Sequence, residues 1–465
     1  MATASYPRIL ILGGGFAGMS VAQELIRLLP RERRCDITLV DRNNFSLFTP
    51  MLTEVVGGDV DPGSVVAAIR SLSPRVRFEQ GRITRIDAAS RSVSIEVGDG
   101  AQSIPPAERT LQADQLVIAL GSITNFHHIP GLQDNALTIK SVTEAEAIRH
   151  RAIALLERAD EEPDPAVRRQ LLTFVVGGGG FSGVETMAAL NDLVRGLRPQ
   201  FSAVQAEDVR TIIVQPGPRL LPELDERLAS YAQRELERRG VEVMLGTRVA
   251  SAGPDNVELE RGDAAHGDDH SSARAVMRVA ARTLVWAGGV QPNPVVAQSG
   301  FKLGRHHAIV VDAGCAVPGH AGVWALGDCA EVPEPRGKGT YAPTAQNATR
   351  EGKQVARNIV ATLNGRQPQP FVYHPIGELA MVGRRAAVAS IHGRRFSGMP
   401  AWLMWRAIYL SKLPRLSNRI RIGLDWALDA VGGREIADLP GVSGESRRPG
   451  EPQRTVPPSH GARHH

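Results

Sequence analysis

The sequence has little cysteine and no long apolar run. Its 465 residues include three cysteines, Cys35, Cys315 and Cys329, and no two of them form a Cys-x-x-Cys or Cys-x4-Cys pair. Such spacing argues against a disulfide framework and favours a reducing compartment. No window approaches the roughly 18 consecutive apolar residues that a membrane-spanning helix needs. If the chain meets a membrane, we therefore expect it to lie on the surface rather than to cross it.

An excess of charge of one sign and a secretory signal are also lacking. Lysine and arginine together number 54 and acidic residues 49, which leaves a net charge of +5. This near balance predicts no nucleic-acid partner. The first apolar run, residues 9–12, leads directly into a glycine turn, so we expect no secretory signal.

Glycine is abundant, and it marks a pattern that occurs twice in the chain. A short apolar strand, a glycine-rich turn and a helix begin near Arg8 and again near Leu172. The G-x-G-x-x-G positions are occupied by Gly13, Gly15 and Gly18 in the first copy and by Gly178, Gly180 and Gly183 in the second. These glycines permit a tight turn, close approach of a pyrophosphate and close helix–strand packing. The repeat predicts a duplicated dinucleotide-binding unit in a chain long enough for two or three domains.

The residue that ends the next strand differs between the two copies. Asp41 ends the strand of the first copy, where it is placed to accept hydrogen bonds from a ribose. Gln215 occupies the corresponding position of the second copy. A neutral amide neither favours a 2′-hydroxyl nor repels a 2′-phosphate strongly, so NADPH stays open beside NADH as the donor.

Two further acids have alternative interpretations. Glu185 follows the second glycine turn, where it either complements the helix dipole or handles protons near the reacting rings. Gly327 and Asp328 follow an apolar segment, residues 323–326, that is able to return to the first sheet. Asp328 either binds the ribityl or phosphate part of a flavin or is a simple turn aspartate.

Taken together, these segments resemble the two-dinucleotide-binding-domain flavoproteins, the pyridine nucleotide-disulphide oxidoreductase superfamily. Within it, the chain resembles the type II NADH:quinone oxidoreductases, which pump no protons. The resemblance runs from residue 8 to about residue 434 and rests on residues 13–18, 48–54, 119–122, 178–185, 286–290, 326–330 and 341–346.

The resemblance implies an α/β fold with two Rossmann-type domains and a C-terminal amphipathic region that associates with a membrane. It assigns residues 1–125 and 291–375 to an FAD domain and residues 126–290 to an NAD(P)H domain. Residues 376–436 form the C-terminal region. Residues 437–465, rich in Pro, Gly, Arg, Ser and His, are predicted to be a disordered tail.

The same resemblance assigns roles to individual residues. Gln346, in the segment Pro-Thr-Ala-Gln-Asn-Ala, would contact the quinone head group, and Glu185 would lie beside the nicotinamide. Arg384 would place a base near the isoalloxazine. Asn347 departs from many relatives and leaves the quinone type open. The other residues implied in cofactor binding are Leu52, Ser122, Gly288, Gly327, Asp328 and Ala345.

Residues 401–428 carry an aromatic and apolar stripe next to several bases. Trp402, Trp405, Tyr409, Leu413 and Leu416 recur at spacings of three and four, and Pro414 should divide the segment into two helices. This composition predicts docking on anionic lipid. The alternative is a helix packed on the protein's own core or on a partner subunit. A homodimer and a location on the cytoplasmic face of a bacterial inner membrane are further expectations.

The predicted function is FAD-dependent NAD(P)H:quinone oxidoreduction. A sulfide:quinone oxidoreductase is an alternative, although its chemistry needs a redox pair of cysteines and only Cys329 is placed near the flavin. A disulfide reductase is excluded because no paired cysteines follow the first glycine unit. A non-catalytic NADH-sensing flavoprotein and a nicotinamide-binding module without flavin also stay open.

Overall fold

The computed structural model describes residues 6–30, 35–98, 107–262, 275–335, 337, 339–413 and 415–431. The predicted C-terminal tail lies outside the described residues. So do nearly all of residues 262–273, whose content of Asp, His, Gly and Ser predicts a loop. The elements of the first 124 residues are β1 (Arg8–Leu12), α1 (Phe16–Leu28), β2 (Asp36–Asp41), β3 (Phe45–Leu47), α2 (Leu52–Gly57), β4 (Val66–Ala68), β5 (Val76–Gln80), β6 (Arg82–Asp87), β7 (Ser92–Val97), β8 (Ala107–Gln112), β9 (Gln115–Ile118) and β10 (Ser122–Thr124).

The middle of the chain contains the second copy of the repeated pattern. Its elements are α3 (Leu132–Asn135), β11 (Leu137–Thr138), α4 (Val142–Glu161), α5 (Pro165–Leu171), β12 (Thr173–Gly177), α6 (Phe181–Leu197), β13 (Arg210–Gln215), α7 (Glu226–Arg238), β14 (Val241–Leu245), β15 (Thr247–Ala252), β16 (Asn256–Arg261), β17 (Ala275–Ala280) and β18 (Thr283–Trp286).

The last part of the chain first returns to the first sheet and then forms a separate C-terminal layer. Its elements are β19 (Val290–Pro292), β20 (Ile309–Val310), β21 (Val323–Ala325), β22 (Ala330–Glu331), α8 (Ala345–Leu363), β23 (Gly377–Gly383), β24 (Ala386–Ile391), β25 (Arg394–Gly398), α9 (Met399–Lys412) and α10 (Leu416–Val431).

Two five-stranded parallel sheets form the centre of the fold. The first has the order β21-β9-β1-β2-β5 and the second the order β11-β18-β12-β13-β14. Their central strands are continuous apolar runs because helices and loops cover both faces of a parallel sheet. The predicted α/β fold with two Rossmann-type units is confirmed.

One predicted element belongs elsewhere. The sequence of residues 76–86 and 92–97 predicts a β excursion between the two glycine motifs, but β5 joins the first parallel sheet beside β2. Val76 and Phe78 alternate onto the buried face of that sheet, which explains the placement. The excursion itself is the antiparallel sheet of β6, β7 and β8.

The C-terminal layer packs on the second unit. It consists of the antiparallel sheet β23-β24-β25 and the helices α9 and α10. Trp405, Leu413, Ile422 and Trp426 belong to the same apolar cluster as the core of α4 and α6. Within the described residues, no helix is both long enough and apolar enough to cross a membrane.

Candidate functional site

The first and third glycines of each motif have no room for a side chain. Gly13 and Gly178 adopt φ of +105° and +113°. A Cβ atom on Gly18 would lie 1.9 Å from the carbonyl oxygen of Gly13, and one on Gly183 would lie 1.8 Å from that of Gly178. The two turns therefore share one geometry, in which the helix packs directly against the turn that precedes it.

The second glycines face open space. Gly15 and Gly180 precede α1 and α6 in extended conformations, and no heavy atom of the described residues lies within 4 Å of a Cβ built on either. The unpaired N–H groups of a helix N-terminus attract an anion. Each turn therefore fits the pyrophosphate of a dinucleotide, which makes the residues present compatible with FAD on one unit and a nicotinamide dinucleotide on the other.

Asp41 and Gln215 occupy equivalent positions and hold the turns. The Asp41 Oδ2 atom accepts a hydrogen bond of 2.6 Å from the Gly14 N–H, and Gln215 Oε1 accepts one of 2.9 Å from the Gly179 N–H. Burial raises the pKa of Asp41, and the N–H donors of Asn43 and Gly14 oppose that rise. The sequence predicted ribose contacts here and missed this supporting role.

Ser122 and Asp328 meet although 206 positions separate them. The Ser122 hydroxyl donates a hydrogen bond of 2.6 Å to Asp328 Oδ2 and accepts one of 2.9 Å from Lys140 Nζ. Desolvation lowers the pKa of Lys140, while the charges of Asp328 and Glu144 act in the opposite direction. The sequence analysis missed Lys140, because no local pattern indicates that it reaches across to the first unit.

The turn at Gly327 brings the first glycine motif close to α8. Gly327 has φ of +70°, and a Cβ on it would lie 3.4 Å from Ala17 of α1 and 3.6 Å from Ala348 of α8. Its N–H donates a hydrogen bond of 2.7 Å to Glu351 Oε2, and burial raises the pKa of that carboxyl to about 7. Asp328 therefore lies beside the N-terminal turns of two helices.

Gln346 lies in the first turn of α8 and is half-buried. The helix begins after Thr344, whose hydroxyl accepts a hydrogen bond of 3.2 Å from the Asn347 N–H. The Asn347 side chain is buried and donates a hydrogen bond of 2.8 Å to the Ala342 carbonyl. Asn347 therefore braces the segment that presents Ala345 and Gln346.

Glu185 contacts the C-terminal layer. Its Oε1 atom accepts hydrogen bonds of 2.9 Å from the Met381 N–H and 3.3 Å from Trp405 Nε1. Burial raises the pKa of this carboxyl to about 7, and the two hydrogen bonds limit the rise. Because these donors come from β23 and α9, the Glu185 carboxyl does more than complement the dipole of α6.

A row of aromatic rings links the two units. Phe16 of the first glycine turn lies 5.8 Å from Phe48 between ring centroids, and Phe48 lies 6.1 Å from Tyr409. Tyr409 in turn lies 4.4 Å from Trp405, the residue bonded to Glu185. Leu52 is buried at the start of α2, in the same motif as Phe48. Helix α9 thus contacts the first unit at Phe48 and the second unit at Glu185.

Gly288 and Arg384, two residues predicted to bind cofactor, lie in different parts of the structure. Gly288 lies at the end of β18, where a Cβ would approach the Trp286 ring to 2.4 Å. Arg384 is exposed in the turn between β23 and β24. Its N–H bonds Asp192 Oδ2 at 2.6 Å, and its carbonyl accepts a hydrogen bond from Arg239. Asp192 lies seven residues, about 10 Å, along α6 from Glu185, so Arg384 is not brought to the glycine turns.

The predicted aromatic stripe of residues 401–428 faces mostly inward. Trp405 and Leu413 are fully buried, and Trp402 and Tyr409 pack against the core of the second unit. As a lipid-facing stripe, the prediction was wrong for Trp405 and Leu413, for which the alternative of packing on the protein's own core holds. Among the side chains that the structure describes on α9 and α10, the large apolar ones that are exposed are Met399, Leu403, Leu416, Ile420 and Leu424.

Comparison with known proteins decides the family. Residues 7–352 match the model of the pyridine nucleotide-disulphide oxidoreductases, and residues 376–435 match the NDH2 C-terminal domain. A Dictyostelium discoideum protein named probable NADH dehydrogenase is 30% identical over 93% of this chain and 91% of its own length. The chain belongs to the type II NADH:quinone oxidoreductase family.

Further proteins are similar to this chain in sequence or in fold. The Mycobacterium tuberculosis type II NADH:quinone oxidoreductase Ndh is 29% identical over 90% of this chain and 87% of its own. A structure of Plasmodium falciparum NDH2 in complex with NADH matches the fold with a TM-score of 0.83 at 18% identity, over 93% of this chain and 100% of that one. The Aquifex aeolicus sulfide:quinone oxidoreductase matches with a TM-score of 0.67 at 17% identity, over 89% and 92% of the two chains.

The cysteines separate this family member from the sulfide enzymes. Cys315 and Cys329 are buried, and no disulfide joins any two cysteines in the part of the chain that the structure describes. Burial raises the pKa of the Cys329 thiol to about 12. A reactive thiolate is therefore disfavoured there.

Proposed function

We propose that this chain uses FAD to pass electrons from NADH to a membrane quinone without pumping protons. When bound, FAD supplies the chemistry that accepts a hydride and gives up two electrons. The observation that carries the proposal is the pair of glycine turns of equal geometry, each with open space before a helix N-terminus. They support a division into an FAD domain, residues 1–125 and 291–375, and an NAD(P)H domain, residues 126–290.

The side chains between the two turns position the reactants. Ser122, Asp328 and Lys140 form a polar chain that holds the flavin region, and the first glycine turn binds the pyrophosphate. Gln346 orients the quinone head group at the N-terminus of α8. Glu185 holds a proton, since a pKa of about 7 leaves it partly protonated near neutral pH.

Stopped-flow mixing tests this proposal directly. We expect NADH to bleach the flavin absorbance of the purified protein rapidly, and a soluble quinone analogue to restore it rapidly. Added sulfide should bleach it slowly or not at all. Rapid bleaching that no quinone reverses would favour an NADH-sensing flavoprotein, and a colourless protein would favour a nicotinamide-binding module.

Gln215 is proposed to leave the second unit open to NADPH as well as NADH. Its Oε1 atom is engaged by the Gly179 N–H, so the amide N–H₂ is the group left to face a ribose or its 2′-phosphate. Gln215→Glu should lower kcat/KM for NADPH by roughly tenfold to a hundredfold through charge repulsion, with little change for NADH. Steady-state rates with both donors check this, and Gln215→Asn, which keeps the amide, is the control. Equal losses with both donors would contradict the assignment.

Helices α9 and α10 are proposed to rest on the membrane surface that contains the quinone. Leu416, Ile420 and Leu424 recur every fourth residue and form one exposed face of α10. The cytoplasmic face of a bacterial inner membrane is the location that we propose. A homodimer stays a prediction.

A further inference from the structure

Glu54 is a buried carboxyl that the proposed function does not use. It lies on α2, two residues after Leu52, and is 1% exposed. Its Oε2 atom accepts a hydrogen bond of 3.2 Å from Trp426 Nε1 of α10. None of the described residues forms a hydrogen bond with its Oε1 atom, although that atom is also buried. A buried carboxylate with an unsatisfied oxygen is costly, and a neutral carboxylic acid in the same place costs less.

The groups around Glu54 favour its neutral form overall. Burial and the charges of Asp59 and Glu185 raise the pKa of Glu54 to about 8, and the charge of Arg406 and the Trp426 hydrogen bond oppose that rise. Arg149 of α4 lies at the C-terminal end of α2, beside Gly58. Asp425 of α10 interacts instead with Asp61 and Arg421.

The base opposite Glu54 is held in place by aromatic rings. The Arg406 guanidinium lies 4.0 Å from the Trp402 ring centroid and 4.4 Å from that of Trp426. The neighbouring residue Trp405 bonds Glu185. Trp405 and Arg406, two consecutive residues of α9, therefore act on two different buried carboxyls, Glu185 and Glu54. The Arg406 cation would stabilise the Glu54 carboxylate after loss of the proton.

The proposed reaction needs a proton that the hydride does not bring. Reduction of a quinone to a quinol takes up two electrons and two protons, and a hydride carries two electrons and one proton. The second proton has to come from water through the protein. Helix α10 contacts Glu54 through Trp426, and helix α9 places the charge of Arg406 near it.

We propose that Glu54 is a proton-relay residue that supplies this second proton by way of Glu185. Glu185 gives its proton to the quinol oxygen and takes up the carboxyl proton of Glu54. A proton from solvent water then restores the Glu54 carboxyl. The charge of the resulting Glu54 carboxylate is balanced by Arg406. This inference rests on the proposed function, and it assigns Glu54 a positioning role in proton delivery rather than direct contact with the quinone.

The test separates the two half-reactions of the holoenzyme by stopped flow across pH. In the wild type, quinone-driven recovery of flavin absorbance should slow as pH rises past about 7, where Glu185 ionises, and slow further past about pH 8, where Glu54 ionises. Glu54→Gln should slow that recovery at pH 7 about tenfold and remove the part of the alkaline decline near pH 8, while bleaching by NADH stays unchanged. Trp426→Phe is the matched control, because it removes the hydrogen bond to Glu54 but keeps the carboxyl and the decline.

A second measurement keeps the inference testable without turnover. Because the folded pKa of Glu54 lies above its ordinary value of 4.5, its contribution to stability is present at low pH and is lost as pH rises towards 8. The melting temperature of Glu54→Gln holoenzyme should therefore fall less between pH 5 and pH 8 than that of the wild type. If this variant does not fold, Glu54→Asp should shift the alkaline decline.

Each outcome bears on one claim. A decline near pH 8 that persists in Glu54→Gln, or an equal loss in both half-reactions, overturns the relay. So does an unshifted decline in Glu54→Asp. If the wild type shows no quinone-driven recovery at any pH, the proposed function itself fails.

Discussion

Gly180→Val should leave a folded, yellow protein that NADH does not reduce. Gly180 has φ of −77° and ψ of −173°, an extended conformation that a β-branched residue adopts readily. No described heavy atom comes within 4 Å of its added Cβ. The new side chain would instead fill the space where a pyrophosphate approaches the N-terminus of α6. We expect kcat/KM for NADH to fall by at least about a hundredfold, about 2.8 kcal/mol at 1.4 kcal/mol per tenfold.

Two glycine variants distinguish loss of binding from loss of fold. Gly15→Val has the same open geometry in the first unit and should yield a folded but colourless protein. Gly183→Ala should instead lower the melting temperature, because its Cβ would lie 1.8 Å from the Gly178 oxygen. Dithionite should still bleach the flavin of Gly180→Val, which shows that its flavin is intact. Reduction by NADH at the wild-type rate would refute the assignment of the second unit to the nicotinamide.

The two nucleotide units were predictable because their signals are local. The first strand of each unit is a continuous apolar run, and the first and third glycines of the turn that follows it have no room for a side chain. The apolar runs at residues 241–245 and 283–286 predict strands, and the observed strands have the same bounds. The edge strand β5 was assigned to the wrong sheet because its pairing with β2 is not local.

Contacts between distant segments were not predictable. Lys140 reaches Ser122 and Asp328 only because the start of the second unit folds back onto the first. Glu54 lies in a motif noted for its resemblance, yet its neighbour Trp426 is 372 positions away. Their roles follow from tertiary packing, which sequence spacing alone does not encode.

The C-terminal helices show where periodicity fails. Helix α9 is apolar around most of its surface, so spacing alone does not show which face is buried. The aromatic residues turn inward, where they bury the most area, and Arg406 is enclosed between two tryptophans rather than exposed to lipid. The break between α9 and α10 agrees with the expected effect of Pro414.

The faces of α10 have opposite surroundings, and this predicts a second large effect. Asn418, Ile422 and Trp426 face the protein, where the Asn418 amide donates hydrogen bonds to the carbonyls of Ser64 and Val66 at 2.8 Å and 3.0 Å. The side chains offset by two positions, Leu416, Ile420 and Leu424, are 70%, 56% and 58% exposed. Three large apolar side chains on one open face are costly in water and favourable in lipid.

Replacing Leu416, Ile420 and Leu424 together by serine should release the protein from membranes. Burial of one such side chain is worth about 1.5–3 kcal/mol, and partial insertion of three gives about 3–5 kcal/mol. Binding to anionic phospholipid vesicles should therefore weaken roughly a hundredfold to a thousandfold in a sedimentation assay. The matched control replaces Val276, Val372 and Ile376, which are exposed elsewhere, and should bind normally. Turnover with a soluble quinone should survive in both variants, because α10 keeps its inner face; unchanged vesicle binding would exclude this face as the docking surface.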